Sequence, residues 1–447
     1  MMSFSKKTLN FLTKILPSPF SIAVILTLIS FITAYFLTPI RNASDTPVFK
    51  LLDFWESGFW DLLKFGMQMM LMLVLGHTLA LTKPIDRLIR IFSQSGTNTA
   101  KAAFTVTFFT VLVSFFNWGL GLIFGAVLAR KTGEFAAEKG YKLNYPLIGA
   151  AGYSGLMVWH GGLSGSAPLK VAEQGHFLAD KIGVIPLSET VFSQMNIIIS
   201  ITLILILPII MYLIGKKTKA KKVKLTHTIQ IKTSDKKTVK GAEKLDFSRI
   251  FAFFLSIPIL IAGIYKSIQA GNISVLNLNY INFILFGLAL LFHGTIFSFT
   301  KAVTEAVKGA SGILIQFPLY AGIMGVMKYS GLTDVLTDFF VSVSNQNTFP
   351  VYTLISGGIV NIFVPSGGGQ WAVQGPVITE AAKQLSIPVS KSVMALAYGD
   401  ELTNMLQPFW ALPLLAITGL KAKQIFPYTL LLMLAGFLIF TIELLIF

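Results

Sequence analysis

The sequence predicts an all-α membrane protein with many spans, in which two inverted repeats each contain a re-entrant hairpin and a broken transmembrane helix. The first observation is composition: 54% of the 447 residues are hydrophobic and 13% are charged, whereas roughly a quarter of the residues of a soluble protein are charged. The second is that one set of landmarks occurs twice, about 245 residues apart. The third is the distribution of lysine and arginine, which orients the spans.

The repeated landmarks match in spacing rather than in overall identity. The stretch from Tyr153 to Pro168 has the same length as the stretch from Tyr398 to Pro413. A glutamine and an aspartate eighteen residues apart also occur in both halves, namely Gln68 with Asp86 and Gln316 with Asp334. Interrupted apolar segments at matching positions of two halves indicate the binding site of a secondary transporter.

The N-terminal half is predicted to contain the first repeat. Residues 1–61 form a cytoplasmic N-terminal segment and the first span, and repeat 1 follows at 62–215. Repeat 1 has a hairpin at 101–130, broken at 117–121, and a broken span at 145–170. Both ends of the hairpin are basic, so it is predicted to enter and leave the membrane from the cytoplasm. Non-helical backbone at that depth is tolerated where it is buried in protein or lines a wet cavity.

The C-terminal half is predicted to repeat this plan upside down. Eleven lysines mark residues 216–247 as a basic cytoplasmic loop. Two linking spans follow within 248–309, at 250–267 and 280–299. Repeat 2 occupies 310–447, with a hairpin at 350–383 and a broken span at 392–417. The charge distribution then gives nine crossings and two hairpins, with repeats of opposite orientation.

Charge and cysteine content limit the partners. Much of the net charge of +16 lies in the basic loop, so it indicates membrane topology rather than nucleic-acid binding, and anionic lipid headgroups are an alternative partner. The absence of cysteine excludes a disulfide framework, an iron–sulfur cluster and cysteine-bound zinc. No cofactor is predicted beyond a coupling ion. The lysines near the start predict an uncleaved, cytoplasmic N-terminus.

The breaks in the apolar segments predict an anion-binding site. A helix that begins inside the membrane presents free backbone N–H groups, and its dipole attracts negative charge. Glycine lets a ligand approach the backbone and serine adds a hydroxyl donor, although both also permit close helix packing. The predicted substrate-binding residues are Asn117, Gly119, Gly121, Ser164, Ser166, Ser366, Gly367, Gly368, Gly369, Gln370 and Trp371.

A pair of acidic residues predicts the ion-coupling site. Asp400 and Glu401 lie in the middle of an apolar span, where an ionisable residue is costly and indicates function; a hydrogen-bonded acid that locks the repeats together is the alternative. Asp400 is predicted to carry a proton or, with Asn404 and Asn361, to coordinate Na⁺. No lysine or arginine within a span is expected to oppose a carboxylate, which favours a monocarboxylate over a dicarboxylate.

Aromatic residues are concentrated beside the breaks. Trp118, Trp159, Trp371 and Trp410 all lie in the four broken segments. They are predicted to form apolar walls for a short acyl chain, with core packing or a position at the membrane interface as alternatives. Among the intramembrane histidines, His160 stands out because it lies inside a motif.

Three motifs resemble hallmark segments of the bacterial short-chain fatty acid transporter family. These motifs are Trp159-His160-Gly161-Gly162-Leu163-Ser164-Gly165-Ser166-Ala167-Pro168-Leu169, Val364-Pro365-Ser366-Gly367-Gly368-Gly369-Gln370-Trp371-Ala372-Val373-Gln374-Gly375-Pro376 and Tyr398-Gly399-Asp400-Glu401-Leu402-Thr403-Asn404. The resemblance covers nearly the whole chain and implies uptake of acids such as acetoacetate or butyrate across a bacterial inner membrane. The family is similar to a wider group of ion-coupled anion transporters, which implies a homodimer and an elevator mechanism.

Two other functional classes remain open. The segment Gly162-Leu163-Ser164-Gly165 matches the Gly-x-Ser-Gly pattern of rhomboid-type intramembrane serine proteases, with His293 as a candidate base, but an enzyme would not explain the repeats. An aspartyl protease would need a second acid opposite Asp400. A passive anion channel is the third class. We therefore predict that the chain is not an enzyme but a symporter of a short-chain monocarboxylate, driven by H⁺ or Na⁺.

Overall fold

Helices dominate the computed structural model, which describes residues 19–43, 46–223, 241–364 and 366–447. Parts of three predicted features lie outside the described residues, namely the cytoplasmic start (1–18), the basic loop (224–240) and Pro365 of the second hairpin. The described lysines of the basic loop are exposed.

The first half of the described chain is a series of helices with one short strand pairing. Strand Lys142–Leu143 pairs antiparallel with strand Lys221–Lys222, and single 3-10 turns occur at Ser154–Met157 and Leu187–Glu189. The α-helices are Pro19–Leu37, Ile40–Ala43, Pro47–Phe59, Leu63–Ala80, Lys83–Ser93, Thr99–Phe116, Trp118–Glu138, Tyr145–Tyr153, Ser166–Val171, Ala179–Ile182 and Gln194–Lys217.

The second half presents a similar order of elements from Ser311 onward. As after Leu63, a long helix is followed by a shorter one, a pair of helices with a tight break, a helix divided in two and a long apolar helix. The 3-10 turns are Gly241–Leu245 and Ile273–Val275. The α-helices are Arg249–Ala270, Leu278–His293, Ile296–Val307, Ser311–Ser330, Leu332–Val343, Phe349–Phe363, Gly367–Gln384, Val389–Asn404, Pro408–Thr418 and Ala422–Ile446.

Several of these helices satisfy the length and composition of a membrane span. A crossing needs about 20 mostly apolar residues. The pair Ile296–Val307 and Ser311–Ser330, bent by 52°, meets the requirement together. The single described helices that meet it are Leu63–Ala80, Thr99–Phe116, Gln194–Lys217, Arg249–Ala270 and Ala422–Ile446. The prediction of a helical membrane protein with several spans is confirmed.

One predicted linking span is shorter than expected. The apolar stretch 280–299 was expected to cross as one helix, but the helix ends at His293. Gly294 adopts φ 71° and donates its N–H to the Leu290 carbonyl, a left-handed conformation that glycine adopts without strain and that ends helices. Thr295 then caps the next helix. Local backbone chemistry therefore overrides the continuous hydrophobicity of this stretch.

Two glycines allow the helices of repeat 1 to touch through their backbones. Gly125 lies in Trp118–Glu138 and Gly152 in Tyr145–Tyr153. A Cβ atom at Gly125 would lie 2.2 Å from the Gly152 carbonyl oxygen, and one at Gly152 would lie 2.4 Å from the Gly125 oxygen. Small residues at such crossings are typical of membrane helix packing.

We expect Gly125→Ala to destabilise the protein by about 3 kcal/mol, because the clashing atom belongs to the backbone and yields only if the two helices separate. Thermal unfolding in detergent, followed by size-exclusion chromatography, measures the loss. Gly309→Ala is the matched control, since the nearest atom to its Cβ would be 3.5 Å away. Equal melting temperatures of the two variants would contradict the close approach.

Candidate functional site

Each half of the chain contains two helices joined by a tight polar break. We call them helix pair 1, formed by Thr99–Phe116 and Trp118–Glu138, and helix pair 2, formed by Phe349–Phe363 and Gly367–Gln384. They correspond to the two predicted hairpins. One residue separates the two helices of pair 1, and three residues separate those of pair 2, so polar backbone groups are brought into the protein interior.

A capping side chain sets the start of the second helix in both pairs. The Asn117 side-chain oxygen accepts a hydrogen bond from the Leu120 N–H at 2.7 Å. The Ser366 hydroxyl accepts one from the Gly369 N–H at 3.2 Å. Asparagine and serine are preferred caps because their short side chains satisfy the free N–H groups of the first turn. Local sequence therefore determines the position of both breaks.

The predicted broken span at 145–170 is held against helix pair 1. We call its irregular segment break 1 (residues 154–165). The Leu163 N–H donates to the Phe115 carbonyl at 2.8 Å, and the Trp118 N–H donates to the Ser164 hydroxyl at 2.9 Å. Break 1 thus supplies partners for backbone groups at the tip of helix pair 1, which could not remain unpaired in a membrane interior.

The broken span of repeat 2 is held in a corresponding way. We call its irregular segment break 2 (residues 405–407). The Tyr153 hydroxyl donates to the carbonyls of Asn404 at 2.8 Å and Gln407 at 3.1 Å. The Gln407 side-chain amide donates to the Asn361 carbonyl at 2.6 Å. A residue of one half therefore completes the backbone hydrogen bonding of the other half.

The tyrosine at the matching position braces the opposite break. The Tyr398 hydroxyl donates to Asn196 Oδ1 at 2.9 Å, and the Asn196 amide donates to the Gly161 carbonyl at 2.8 Å. Tyr153 acts directly on break 2, and Tyr398 acts on break 1 through one side chain. The two halves are therefore coupled through reciprocal hydrogen bonds at the points where their helices are interrupted.

Asp400 and His160 form a buried pair across the two halves. Both side chains are fully buried, and His160 Nδ1 lies 2.7 Å from Asp400 Oδ2. The Ala167 backbone N–H donates to His160 Nε2 at 3.1 Å. Since a backbone N–H can only donate, Nε2 is an acceptor and the ring proton sits on Nδ1, which donates to Asp400. The other carboxyl oxygen, Oδ1, has no hydrogen-bond partner among the described residues.

Glu401 holds break 1 from the same helix as Asp400. Its Oε2 atom accepts hydrogen bonds from the His160 N–H at 2.9 Å and, more weakly, the Gly161 N–H at 3.4 Å. Glu401 is 1% exposed. A carboxylate that accepts backbone N–H groups satisfies donors freed by the break. The two adjacent acids therefore differ. Glu401 holds the backbone of break 1 in position, whereas Asp400 keeps one oxygen without a partner among the described residues.

Asn361 lies beside Asp400 and connects it to Asn404. Its amide nitrogen donates to the Asp400 carbonyl at 2.7 Å, Thr403 Oγ1 at 2.9 Å and Asn404 Oδ1 at 2.9 Å. Its Oδ1 atom is buried and unpaired among the described residues. The three residues predicted for ion coupling therefore lie together. Unpaired carboxylate and amide oxygens are the ligands that hard cations prefer.

A small central cavity brings together part of the predicted substrate site. Its volume is about 20 Å³, which is about enough for one water molecule. The predicted substrate-binding residues that line it are Ser166, Ser366, Gly367 and Gly368, and Asn404, which is predicted for ion coupling, lines it too. They come from both halves of the chain, as the repeat argument predicts, and the cavity begins where helix Gly367–Gln384 presents its first turn.

Tryptophans form much of the cavity wall. Trp118, Trp159 and Trp410 line it, and the ring centroid of Trp118 lies 5.7 Å from that of Trp159 and 5.1 Å from that of Trp410. The indole N–H groups of Trp118 and Trp159 are buried without an acceptor among the described residues. Buried donors normally have partners, so these groups are available to an anionic ligand as well as forming an apolar wall.

The other predicted residues of helix pair 1 are placed outside the cavity lining. Asn117 caps its helix, as described above. A Cβ at Gly119 would lie 3.0 Å from the Leu73 carbonyl oxygen, and one at Gly121 would lie 1.9 Å from the Ser114 hydroxyl. Both glycines are therefore required for packing in this conformation, and their contact with substrate stays a prediction.

In helix pair 2, too, some predicted residues line the cavity and others pack outside it. Gly369 packs against Tyr320, whose ring would lie 2.5 Å from a Cβ at that position. The Gln370 amide donates to the Gly357 carbonyl at 2.8 Å, and Trp371 is fully buried. These three residues lie behind the cavity rather than in its lining. A role in binding substrate stays a prediction for each.

The structure reveals a buried cation that the sequence reasoning missed. Lys170, at the end of the predicted span 145–170, is 4% exposed, and its ammonium group donates to Glu173 at 2.5 Å and to Gln68 at 3.3 Å. The expectation that no lysine or arginine lies within a span to oppose a carboxylate stays a prediction, but Lys170 is a buried cation at the end of the predicted span. The available signal was the short spacing of the two opposite charges, because Glu173 follows Lys170 by three residues.

Ser164 and His293 do not have the geometry of a serine protease site. Ser164 accepts the Trp118 N–H, whereas His293 Nε2 lies 2.9 Å from the Thr78 carbonyl oxygen. A serine nucleophile needs a base within hydrogen-bond reach. The described residues give Ser164 and His293 different partners.

Comparisons with known proteins agree with a transporter. The family described as "Short chain fatty acid transporter" matches residues 1–447. A protein of Escherichia coli (strain K12) is 38% identical over 444 residues, or 98% of each chain, and one of Haemophilus influenzae is 38% identical over 428 residues, or 93% of each chain. The names of both proteins refer to short-chain fatty acid transport. Family and relatives are transporters rather than enzymes.

Solved structures of two transporters share the fold. The YdaH transporter of Alcanivorax borkumensis has a TM-score of 0.60 at 15% identity, with 95% of this chain and 98% of that chain covered. MtrF of Neisseria gonorrhoeae, described among antimetabolite efflux pumps, has a TM-score of 0.56 at 15% identity, with 98% and 97% covered. At this identity the likeness concerns the fold alone. The match over the full length, together with the two relatives, shows that this chain belongs to the short-chain fatty acid transporter family.

Proposed function

We propose that the protein is an ion-coupled symporter that carries a short-chain monocarboxylate, such as acetoacetate or butyrate, across the bacterial inner membrane. One observation supports coupling between the substrate and the ion. Asn404 lines the central cavity and also accepts a hydrogen bond from Asn361 beside Asp400. A ligand in the cavity and an ion at Asp400 therefore share a neighbour, so that each can change the affinity for the other.

The chemistry of the cavity supports a carboxylate as the substrate. Helix Gly367–Gln384 has 18 residues and directs the positive end of its dipole to the cavity. Ser366, which accepts the Gly369 N–H, can still donate its own hydroxyl proton. The indole N–H groups of Trp118 and Trp159 add two donors, and their rings receive the acyl chain. The other predicted residues would hold these donors and rings in place, namely Asn117, Gly119, Gly121, Ser164, Gly369, Gln370 and Trp371.

The cluster around Asp400 supports the coupling ion. In the Na⁺ form of the proposal, Asp400 Oδ1 and Asn361 Oδ1 contribute to coordination, because both are buried acceptors without described partners. In the H⁺ form, Asp400 takes up the proton beside His160.

Transport requires the cavity walls to separate. A volume of about 20 Å³ holds about one water molecule, and a four-carbon acid needs more space. We propose inverted repeats, with helix pairs 1 and 2 re-entrant from opposite sides and a cytoplasmic N-terminus, in a homodimer that moves by an elevator mechanism. The similar order of helices after Leu63 and after Ser311 supports the repeats.

Uptake of labelled butyrate into proteoliposomes tests the proposal. We expect accumulation when an inward Na⁺ gradient or an inward H⁺ gradient is imposed, and not when both are absent. The gradient that drives accumulation identifies the coupling ion. Equilibration without accumulation under either gradient would instead support the passive channel, and the absence of any carboxylate flux would reject the substrate.

A further inference from the structure

A second cavity lies next to the central one and is much larger. It has a volume of about 500 Å³, and we call it the outer cavity. Four lysines line it, together with three aspartates. Three of the lysines, Lys64, Lys181 and Lys328, are exposed, whereas Lys170 is buried. Among the described lining residues, Lys170 is the only charged one that is buried. It offers an anion a cationic partner at the inner end of the cavity, in competition with Glu173.

Lys170 is held by a resident carboxylate. Glu173 accepts its ammonium group at 2.5 Å, and Gln68 accepts it at 3.3 Å. Glu173 Oε1 also receives the Gln68 amide at 2.7 Å and the Asn279 amide at 3.2 Å, and Lys64 lies 3.7 Å away. The carboxylate thus has neutral donors and a second cation as alternative partners. Lys170 can transfer part of its bonding to another carboxylate without leaving Glu173 unpaired.

The outer and central cavities are one helical turn apart on two helices. Ser166 lines the central cavity and Lys170 the outer one, and four residues of helix separate them by about 6 Å. On the facing helix Met69 lines the central cavity and Phe65 the outer one. The Ser166 hydroxyl lies 3.2 Å from the Met69 sulfur, and the Lys170 ammonium lies 5.1 Å from the Phe65 ring centroid.

Phe65 forms the wall between the two cavities. Its ring lies 5.7 Å from that of Phe317, and both rings contact Gly368, where an added Cβ would be 3.1 Å from Phe65 and 2.9 Å from Phe317. Gly368 belongs to the central cavity. The Phe65 side chain therefore lies between the outer cavity, which it lines, and Gly368 of the central cavity, and side chains can move aside.

We propose that the outer cavity is a carboxylate-capture site, in which Lys170 binds the monocarboxylate by exchange with Glu173 before the acid passes Phe65 into the central cavity. This inference rests on the proposed function, since it takes a carboxylate to be the substrate. On the proposed topology the outer cavity opens at the outer face of the membrane. Capture by a buried cation gives selectivity for anions at a step that precedes ion coupling.

Substitutions of the two partners distinguish capture from a structural ion pair. Lys170→Gln removes the binding charge, so we expect the KM for butyrate uptake to rise at least about tenfold. Glu173→Gln removes the competing carboxylate, so we expect the KM to fall. A purely structural ion pair would be damaged in the same direction by both changes, so a rise in KM for both variants would overturn the proposal. The exposed Lys83→Gln is the control.

A labelling experiment tests the site without transport. The chain has no cysteine, so Leu178→Cys places a single thiol in the lining of the outer cavity. We expect butyrate to slow its modification by an anionic methanethiosulfonate, and expect Lys170→Gln to abolish that protection. If Lys170→Gln impairs folding, the double variant Lys170→Gln/Glu173→Gln takes its place, because it leaves no unpaired buried charge. We expect the double variant to lack protection as well.

The outcomes separate the two proposals. Protection by butyrate that depends on Lys170, without uptake in the unsubstituted protein, would support capture and reject the symport proposal. Uptake with no protection, or with protection unaffected by Lys170→Gln, would reject capture and leave the symport proposal standing.

Discussion

Asp400→Asn is expected to abolish concentrative uptake while the protein remains folded. Asparagine has the shape of aspartate and keeps an oxygen that can accept the His160 ring proton, now bonded at 2.7 Å to Asp400. It cannot bind a proton or supply a negative charge to Na⁺. Butyrate should therefore equilibrate across the proteoliposome membrane without accumulating, whichever gradient is imposed. Counterflow of butyrate without a gradient measures whether the substrate site has survived.

The control for this variant is Asp86→Asn. Asp86 forms a surface ion pair with Arg90 at 2.8 Å, and both side chains are at least 40% exposed, so the pair contributes little. Accumulation by Asp86→Asn should match that of the unsubstituted protein. Normal accumulation by Asp400→Asn would remove Asp400 from the coupling mechanism and would favour the alternative in which it only holds the two halves together.

Gly368→Ala is expected to change the size of the acid that the protein accepts. An added Cβ would lie 2.9 Å from Phe317 Cζ, 3.1 Å from Phe65 Cζ and 3.3 Å from Met69 Cγ. These are side-chain atoms that can shift, so the fold should tolerate the methyl group. The methyl occupies space in the lining of the central cavity. A misfit of one methylene costs about 1–3 kcal/mol, so uptake of four-carbon acids should fall at least about tenfold.

Acetate serves as the internal control for this prediction. It is two carbons shorter than butyrate, so its uptake by Gly368→Ala should fall much less, and the ratio of acetate to butyrate uptake should rise. Gly309→Ala, which has no atom closer than 3.5 Å to the new methyl group, should keep the original ratio. A parallel loss of both acids would show that Gly368 supports the fold rather than the walls of the substrate site.

The reciprocal hydrogen bonds between the two breaks provide a route by which an ion and a substrate could influence each other. Tyr153 of one half completes the backbone of break 2, and Glu401 of the other half completes that of break 1. Interrupted helices need such partners because unpaired backbone groups are costly away from water. A shift in one break therefore changes the hydrogen bonding of the other. His160 of break 1 contacts Asp400, and Trp159 of the same break lines the central cavity. In the proposed symporter, an ion at Asp400 is therefore expected to change the affinity of the central cavity for the substrate.

The sequence predicted the features that depend on neighbouring residues. Hydrophobic composition predicted a membrane protein, and the breaks were predicted because glycine-rich segments interrupt apolar runs. The structure shows that Asn117 and Ser366 cap the helices at these positions. The buried acid at Asp400 was found because its own span is apolar. These features follow from chemistry within a few residues, which a single sequence displays. The predicted span at 280–299 is not a single helix for a reason that is equally local, since Gly294 ends the helix that begins at Leu278.

Tertiary structure decided which side chains meet. Asp400 contacts His160, 240 residues away in the chain, and Lys170 contacts Gln68, 102 residues away. Of four tryptophans with the same local context, three line the central cavity and Trp371 is buried behind it. Of three consecutive glycines, Gly367 and Gly368 line the central cavity, whereas Gly369 packs against Tyr320. Such contacts depend on how helices pack side by side, and a periodicity within one helix specifies a buried face but not the residue that it will face.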